Sequence, residues 1–258
     1  MDYLYSALAG CIVGAVGTCG GAALSFLVKK SNNRLSAILM GISAGTMLAV
    51  VFFDMWPESF EMSGWAPCII STAIGAIFVH AVHLILPHDR ESATSKRISK
   101  GVGAKQRTSK RASYVEMGAL ICMGIAIHNL PEGIAVGSGL SKPGDFGFGL
   151  ALLLMIHNIP EGAAMGIPLK LGGVGKVKIL LYAFLVGFPT AIGALIGRLV
   201  GNISPMFIGA AMAFAAGAML YVTLKELVPE SIEMGKIGTT LWSVLLGLGI
   251  GAAIVFFV

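Results

Sequence analysis

Long apolar runs separated by short polar ones dominate the chain. A helix that crosses the hydrocarbon layer needs roughly 20 mostly apolar residues. By that rule the pattern predicts eight spans, at about 4–28, 36–57, 66–87, 114–138, 147–169, 177–200, 206–228 and 237–258. One connection is long. Residues 88–113 are polar, basic and rich in Ser, with no apolar period, and read as a largely disordered loop. The expected fold class is an all-α membrane protein with a single transmembrane domain over 1–258.

Composition sharpens this picture. The chain has 258 residues, of which 12% are charged and 56% hydrophobic. A soluble domain of this length carries about twice that charged fraction, so lipid is the natural solvent for the apolar excess. The first span lacks the charged flank of a signal peptide and reads as a retained helix. Cys11, Cys19, Cys68 and Cys122 lie in or beside apolar segments without metal-type spacing, and read as small core residues rather than a disulfide framework.

Charge sets the orientation. The loops after spans 1, 3, 5 and 7 and their edges hold sixteen of the 18 Lys and Arg residues. The other side has only Lys142 and Arg198. Basic loops stay in the cytoplasm, so both termini are expected outside it, in a multi-pass protein of the cell membrane. The basic total needs no nucleic acid to explain it.

Residues 44–62 (AGTMLAVVFFDMWPESFEM) and 216–234 (AGAMLYVTLKELVPESIEM) match at an offset of 172, with ten of 19 positions identical. Shared membrane-helix composition explains the Ala, Gly, Leu and Val matches but not Pro-Glu-Ser and the repeated acids. Span 2 runs outward and span 7 inward, so the repeat is inverted, a plan used by transporters with a site near the midplane. Spans 1–3 then pair with 6–8, a 3+2+3 arrangement with spans 4 and 5 in the middle.

Those two spans carry the strongest chemical signal. Span 4 reads His128-Asn129-Leu130-Pro131-Glu132-Gly133, and span 5 reads His157-Asn158-Ile159-Pro160-Glu161-Gly162. Each puts His and Glu at i and i+4, on one helix face. His128 lies about 14 residues into its span and His157 about 10, or roughly 21 and 15 Å along helices of opposite direction. A carboxylate at that depth costs about 2.5–3.5 kcal/mol. No Lys or Arg occupies the middle of either span. Imidazole, carboxylate and amide oxygen together suit zinc and its divalent neighbours. Pro131 and Pro160 lack an N–H, free the carbonyls of Ile127 and Ile156, and predict kinks.

The doubled HNxPEG motif, the AGxML…PES segment and the basic loop between spans 3 and 4 resemble the ZIP family of metal-ion permeases. The resemblance covers essentially the whole chain. It implies transport of zinc, iron, manganese or cadmium toward the cytoplasm, with the metal as bound substrate and no separate cofactor, and a homodimer. By position it implies a main metal site of His128, Glu132, His157 and Glu161, with Met47 of span 2 as a thioether ligand. Asn129 and Asn158 would belong to a neighbouring second site. Many relatives add a Glu there from span 6; this chain has Thr190 after Pro189, which argues against a two-metal centre.

Other polar residues are candidates for the route. Asp54, Glu58 and Glu61 cluster at the outer end of span 2 and can gather cations at an entrance; a solvated helix end is the alternative, above all for Glu61. Their repeat partners Glu226, Glu230 and Glu233 lie at the cytoplasmic end of span 7, where Lys225 is a candidate neutralising neighbour. His80, His83 and His88 near the inner end of span 3 are exit candidates. Two rival functions are an intramembrane metalloenzyme and a metal-sensing membrane protein. The first needs HExxH or Glu-x-x-His pairs, and the chain has neither. The second has no reason for an inverted repeat around a polar midplane. The expectation is a transporter, not an enzyme.

Overall fold

The computed structural model describes residues 2–27, 33–85, 104–142, 144 and 146–257. Among them, eight helices are long and apolar enough to cross a membrane: α1 (Tyr3–Leu27), α2 (Arg34–Ser63), α3 (Trp65–Val82), α4 (Tyr114–Gly139), α5 (Phe146–Leu171), α6 (Lys176–Gly201), α7 (Pro205–Met234) and α8 (Ile237–Phe256). They match the eight expected spans. Helix α1 packs along α5 and α6, α4 along α6, α2 along α8, and α3 along α7.

Three boundaries differ from the sequence pattern. The helix containing α4 begins at Ala104, inside the segment read as loop. Ala, Lys, Gln and Arg at its start are strong helix formers, and a polar helical turn can stand in water beyond the lipid. Residues 86–103, with His88, lie outside the described residues. Helices α2 and α7 each run about six residues past the expected end, through Pro57 and Pro229. A wide π-helical turn precedes each proline, at Val51–Met55 and Thr223–Leu227. Such a turn changes the backbone pairing just where a proline ring would clash with the preceding carbonyls and break the ladder. Helix α6 is interrupted at Phe188, directly before Pro189.

The inverted repeat governs the packing. The two π turns stand 172 residues apart. Ser59 of the first Pro-Glu-Ser donates to the Gly209 carbonyl at 2.8 Å, and Ser231 of the second donates to the Ala37 carbonyl at 2.7 Å. The offset turns one bond into the other, so α2 and α7 tie each other down reciprocally. Glycines repeat the symmetry. A Cβ on Gly45 would collide with the Val244 carbonyl of α8, and one on Gly217 with the Thr72 carbonyl of α3. At the centre, Gly162 abuts the Thr18 carbonyl of α1 as Gly133 abuts the Thr190 carbonyl of α6. The glycine closing each HNxPEG motif therefore lets a flanking helix touch the central one at backbone distance.

Candidate metal centre

Helices α4 and α5 run on without interruption through Pro131 and Pro160. Their helical spacing brings Glu132, His157 and Glu161 together, all buried, with one donor atom from each inside a 4.8 Å cluster. His157 Nε2 lies 3.1 Å from Glu132 Oε1 and 3.6 Å from Glu161 Oε1. Ser43 of α2 donates to Glu161 Oε1 at 2.8 Å. Neither oxygen of Glu132 has a hydrogen-bond donor among the described residues beyond the ion-pair contact with His157. Two carboxylates and an imidazole converging out of water, with no Lys or Arg in the middle of either helix, suit a dication that takes nitrogen and oxygen ligands. His128 shares the α4 backbone of Glu132, but its side chain lies outside the described residues.

Met47 is fully buried, and its sulfur lies 3.3 Å from the Thr223 hydroxyl of α7, which also reaches the Met219 carbonyl at 2.8 Å. It belongs to an apolar cluster with Val50, Val51, Leu150, Leu154 and Met212. Leu150, Leu154 and Met212 bring the early turns of α5 and α7 into that cluster. Toward the end of α7, a small cavity of about 20 Å³ reaches Glu161 and is lined also by Glu226 and Glu230. Glu226 is 3% exposed, whereas Lys225 beside it faces outward. Residues 226 and 230 are the repeat partners of Asp54 and Glu58, and it is their place at the cavity that the sequence did not reveal.

The neutral groups beside the cluster have their own pattern. Thr18 Oγ1 donates to the Gly14 carbonyl one turn back at 2.7 Å. Its repeat partner Thr190 has no such bond, and the equivalent Val186 carbonyl accepts instead from Asn129 Nδ2 at 2.7 Å. Asn129 Oδ1, both polar atoms of Asn158 and Thr190 Oγ1 are thus fully buried with no hydrogen-bond partner among the described residues. They form a second, uncharged set of donors and acceptors.

The remaining candidates are more dispersed. Asp54 sits within the π turn of α2, partly buried. Glu58 pairs with Lys142. Glu61 is exposed. His80 is exposed on α3, with Nδ1 2.8 Å from the Tyr221 hydroxyl. The side chain of His83 lies outside the described residues.

Comparison with known proteins decides the family. A model of the ZIP zinc transporters matches residues 83–258. The chain belongs to the ZIP family. Among curated ZIP relatives, the zinc transporter ZupT of Chlorobium limicola is 32% identical over 263 residues, covering 98% of this chain and 97% of its own. The zinc transporter ZupT of Chlorobium phaeovibrioides is 30% identical over 265 residues, covering 98% and 97%. That of Escherichia coli O7:K1 is 31% identical over 243 residues, covering 93% and 91%. The ZIP family is one of transporters rather than enzymes, and eight apolar helices make this member a multi-pass membrane protein.

Proposed function

We propose that this protein carries divalent transition-metal cations, zinc foremost, across the cell membrane into the cytoplasm. The observation that carries the proposal is the buried Glu132–His157–Glu161 cluster at the crossing of the two central helices. In this reading those three residues hold the ion together with His128, and Met47 adds a soft donor when the bundle rearranges. Iron, manganese and cadmium fit the same donors, since affinity order alone does not confer selectivity. Asn129, Asn158 and Thr190 form a neutral annex beside the charged site.

The loops that carry most of the basic residues face the cytoplasm in this reading, with both termini outside. The apolar cluster around Met47 then closes the outer side, and the cavity lined by Glu226 and Glu230 lies inward. A dication leaving Glu161 meets a second pair of carboxylates on its way out, which lowers the barrier for dehydrated charge to return to water. Asp54 and Glu61 act at the outer approach, whereas Glu58 is largely neutralised by Lys142.

Replacing Glu132 by Ala removes one of two anionic ligands and should reduce zinc uptake by cells to background. Replacing exposed Glu61 by Ala should leave at least half of it. Normal uptake by the Glu132→Ala protein at wild-type surface abundance contradicts the assigned site.

A further inference from the structure

Ser43, which lies outside the HNxPEG motifs, touches the proposed metal cluster through its hydroxyl. A buried Ser or Thr in a helix ordinarily donates to a carbonyl one turn back. Thr18, Thr46 and Ser63 all do so here, to Gly14, Ile42 and Ser59. Ser43 instead crosses from α2 to α5 and donates to Glu161 Oε1 at 2.8 Å, with both residues buried.

The repeat makes this bond one-sided. The position 172 residues after Ser43 is Ala215, also fully buried and without a hydroxyl. Glu132, the counterpart of Glu161 in the other motif, correspondingly has no hydroxyl donor among the described residues, only the 3.1 Å contact of Oε1 with His157 Nε2. Two carboxylates that the motif makes equivalent are therefore held differently by the helices around them.

We propose that Ser43 is a positioning residue for metal transport, holding Glu161 as the fixed carboxylate ligand while Glu132 adjusts to the ion. This rests on the Glu132–His157–Glu161 cluster being the transport site. The hydroxyl occupies one lone pair of Oε1 and limits rotation of the carboxylate that faces the cation. Such a bond from outside the ligand set orients a ligand and raises metal affinity; its loss typically weakens binding about 10–100-fold. Because α2 supplies it from a different helix pair, the bond also makes the fixed ligand sensitive to movement of α2 against α5.

The test is the initial rate of zinc uptake against zinc concentration, with zinc binding to the purified protein by titration calorimetry. Ser43→Ala should raise the KM for uptake and the Kd for zinc about tenfold with the maximal rate within about twofold. Ser43→Thr keeps the hydroxyl and should keep the wild-type KM. Adding Ala215→Ser to Ser43→Ala should recover part of the affinity by supplying a hydroxyl from the other repeat. The proposal is overturned if Ser43→Ala leaves KM and Kd unchanged, or if Ala and Thr lower the maximal rate alike at constant KM. If Glu132→Ala abolishes uptake in the same assay, that failure belongs to Ser43 alone; if Glu132→Ala transports normally, the metal-site reading itself has failed.

Discussion

The uncharged annex makes a quantitative demand on stoichiometry. Paired metal sites hold their ions about 3.5–4 Å apart. Two unit charges at 4 Å interact by about 4 kcal/mol at an effective dielectric constant near 20, so two dications repel by about 16 kcal/mol. Glu132 and Glu161 would have to be shared between both ions. Asn129, Asn158 and Thr190 are fully buried and bring no charge to offset the repulsion. One tightly held zinc per protomer is therefore expected, with any second ion weak. Thr190→Glu would place a carboxylate where Thr190 Oγ1 now lacks a partner. At a similar separation it attracts a dication by about 8 kcal/mol before desolvation is subtracted. Even a small surviving fraction tightens the second site at least tenfold, since that requires only about 1.4 kcal/mol. Calorimetric titration with zinc, paired with anomalous diffraction at the zinc edge, measures this. Two central zinc ions of similar affinity in the unmodified protein would refute the charge reasoning, as would a Thr190→Glu protein whose second site is unchanged.

Two further outcomes follow from the repeat and the charge asymmetry. Ser59→Ala and Ser231→Ala each remove one member of the reciprocal pair of buried bonds. Each should lower stability by about 1 kcal/mol, and by nearly equal amounts in thermal unfolding of the detergent-solubilised protein; a several-fold disparity would show that the two contacts are not equivalent. For orientation, an impermeant thiol reagent applied to intact cells should label Asn202→Cys and spare Lys178→Cys, both exposed positions, in a background without the four native cysteines. The reverse pattern inverts the assigned topology.

The sequence revealed most of the fold because membrane spans are signalled by length and composition alone. The central motifs were legible for a related reason: His and Glu are so costly in hydrocarbon that their presence at i and i+4 on two neighbouring spans already implies a shared task. What stayed hidden depends on partners distant in the chain. The π turns before Pro57 and Pro229 read as ordinary helix ends, because proline marks a disruption without specifying how the backbone absorbs it. Glu226 was read only as an acid at the end of span 7 with Lys225 as a candidate neutralising neighbour, since sequence adjacency does not say that one side chain turns inward and the other out. Ser43 stands one residue before the repeated segment, opposite an alanine, so comparison of the two repeats passes over it. Thr190 was noticed for the charge it lacks, but its unpaired hydroxyl and the bond from Asn129 to the Val186 carbonyl, a contact across 57 residues, were not legible.

Zinc flux into liposomes containing only the purified protein tests the central claim most directly. The account predicts saturable zinc accumulation above protein-free liposomes, which falls to the protein-free rate when Glu132 is replaced by Ala and the folded protein is inserted in equal amount. No zinc entry above that of protein-free liposomes, or undiminished entry through the Glu132→Ala protein, would contradict it.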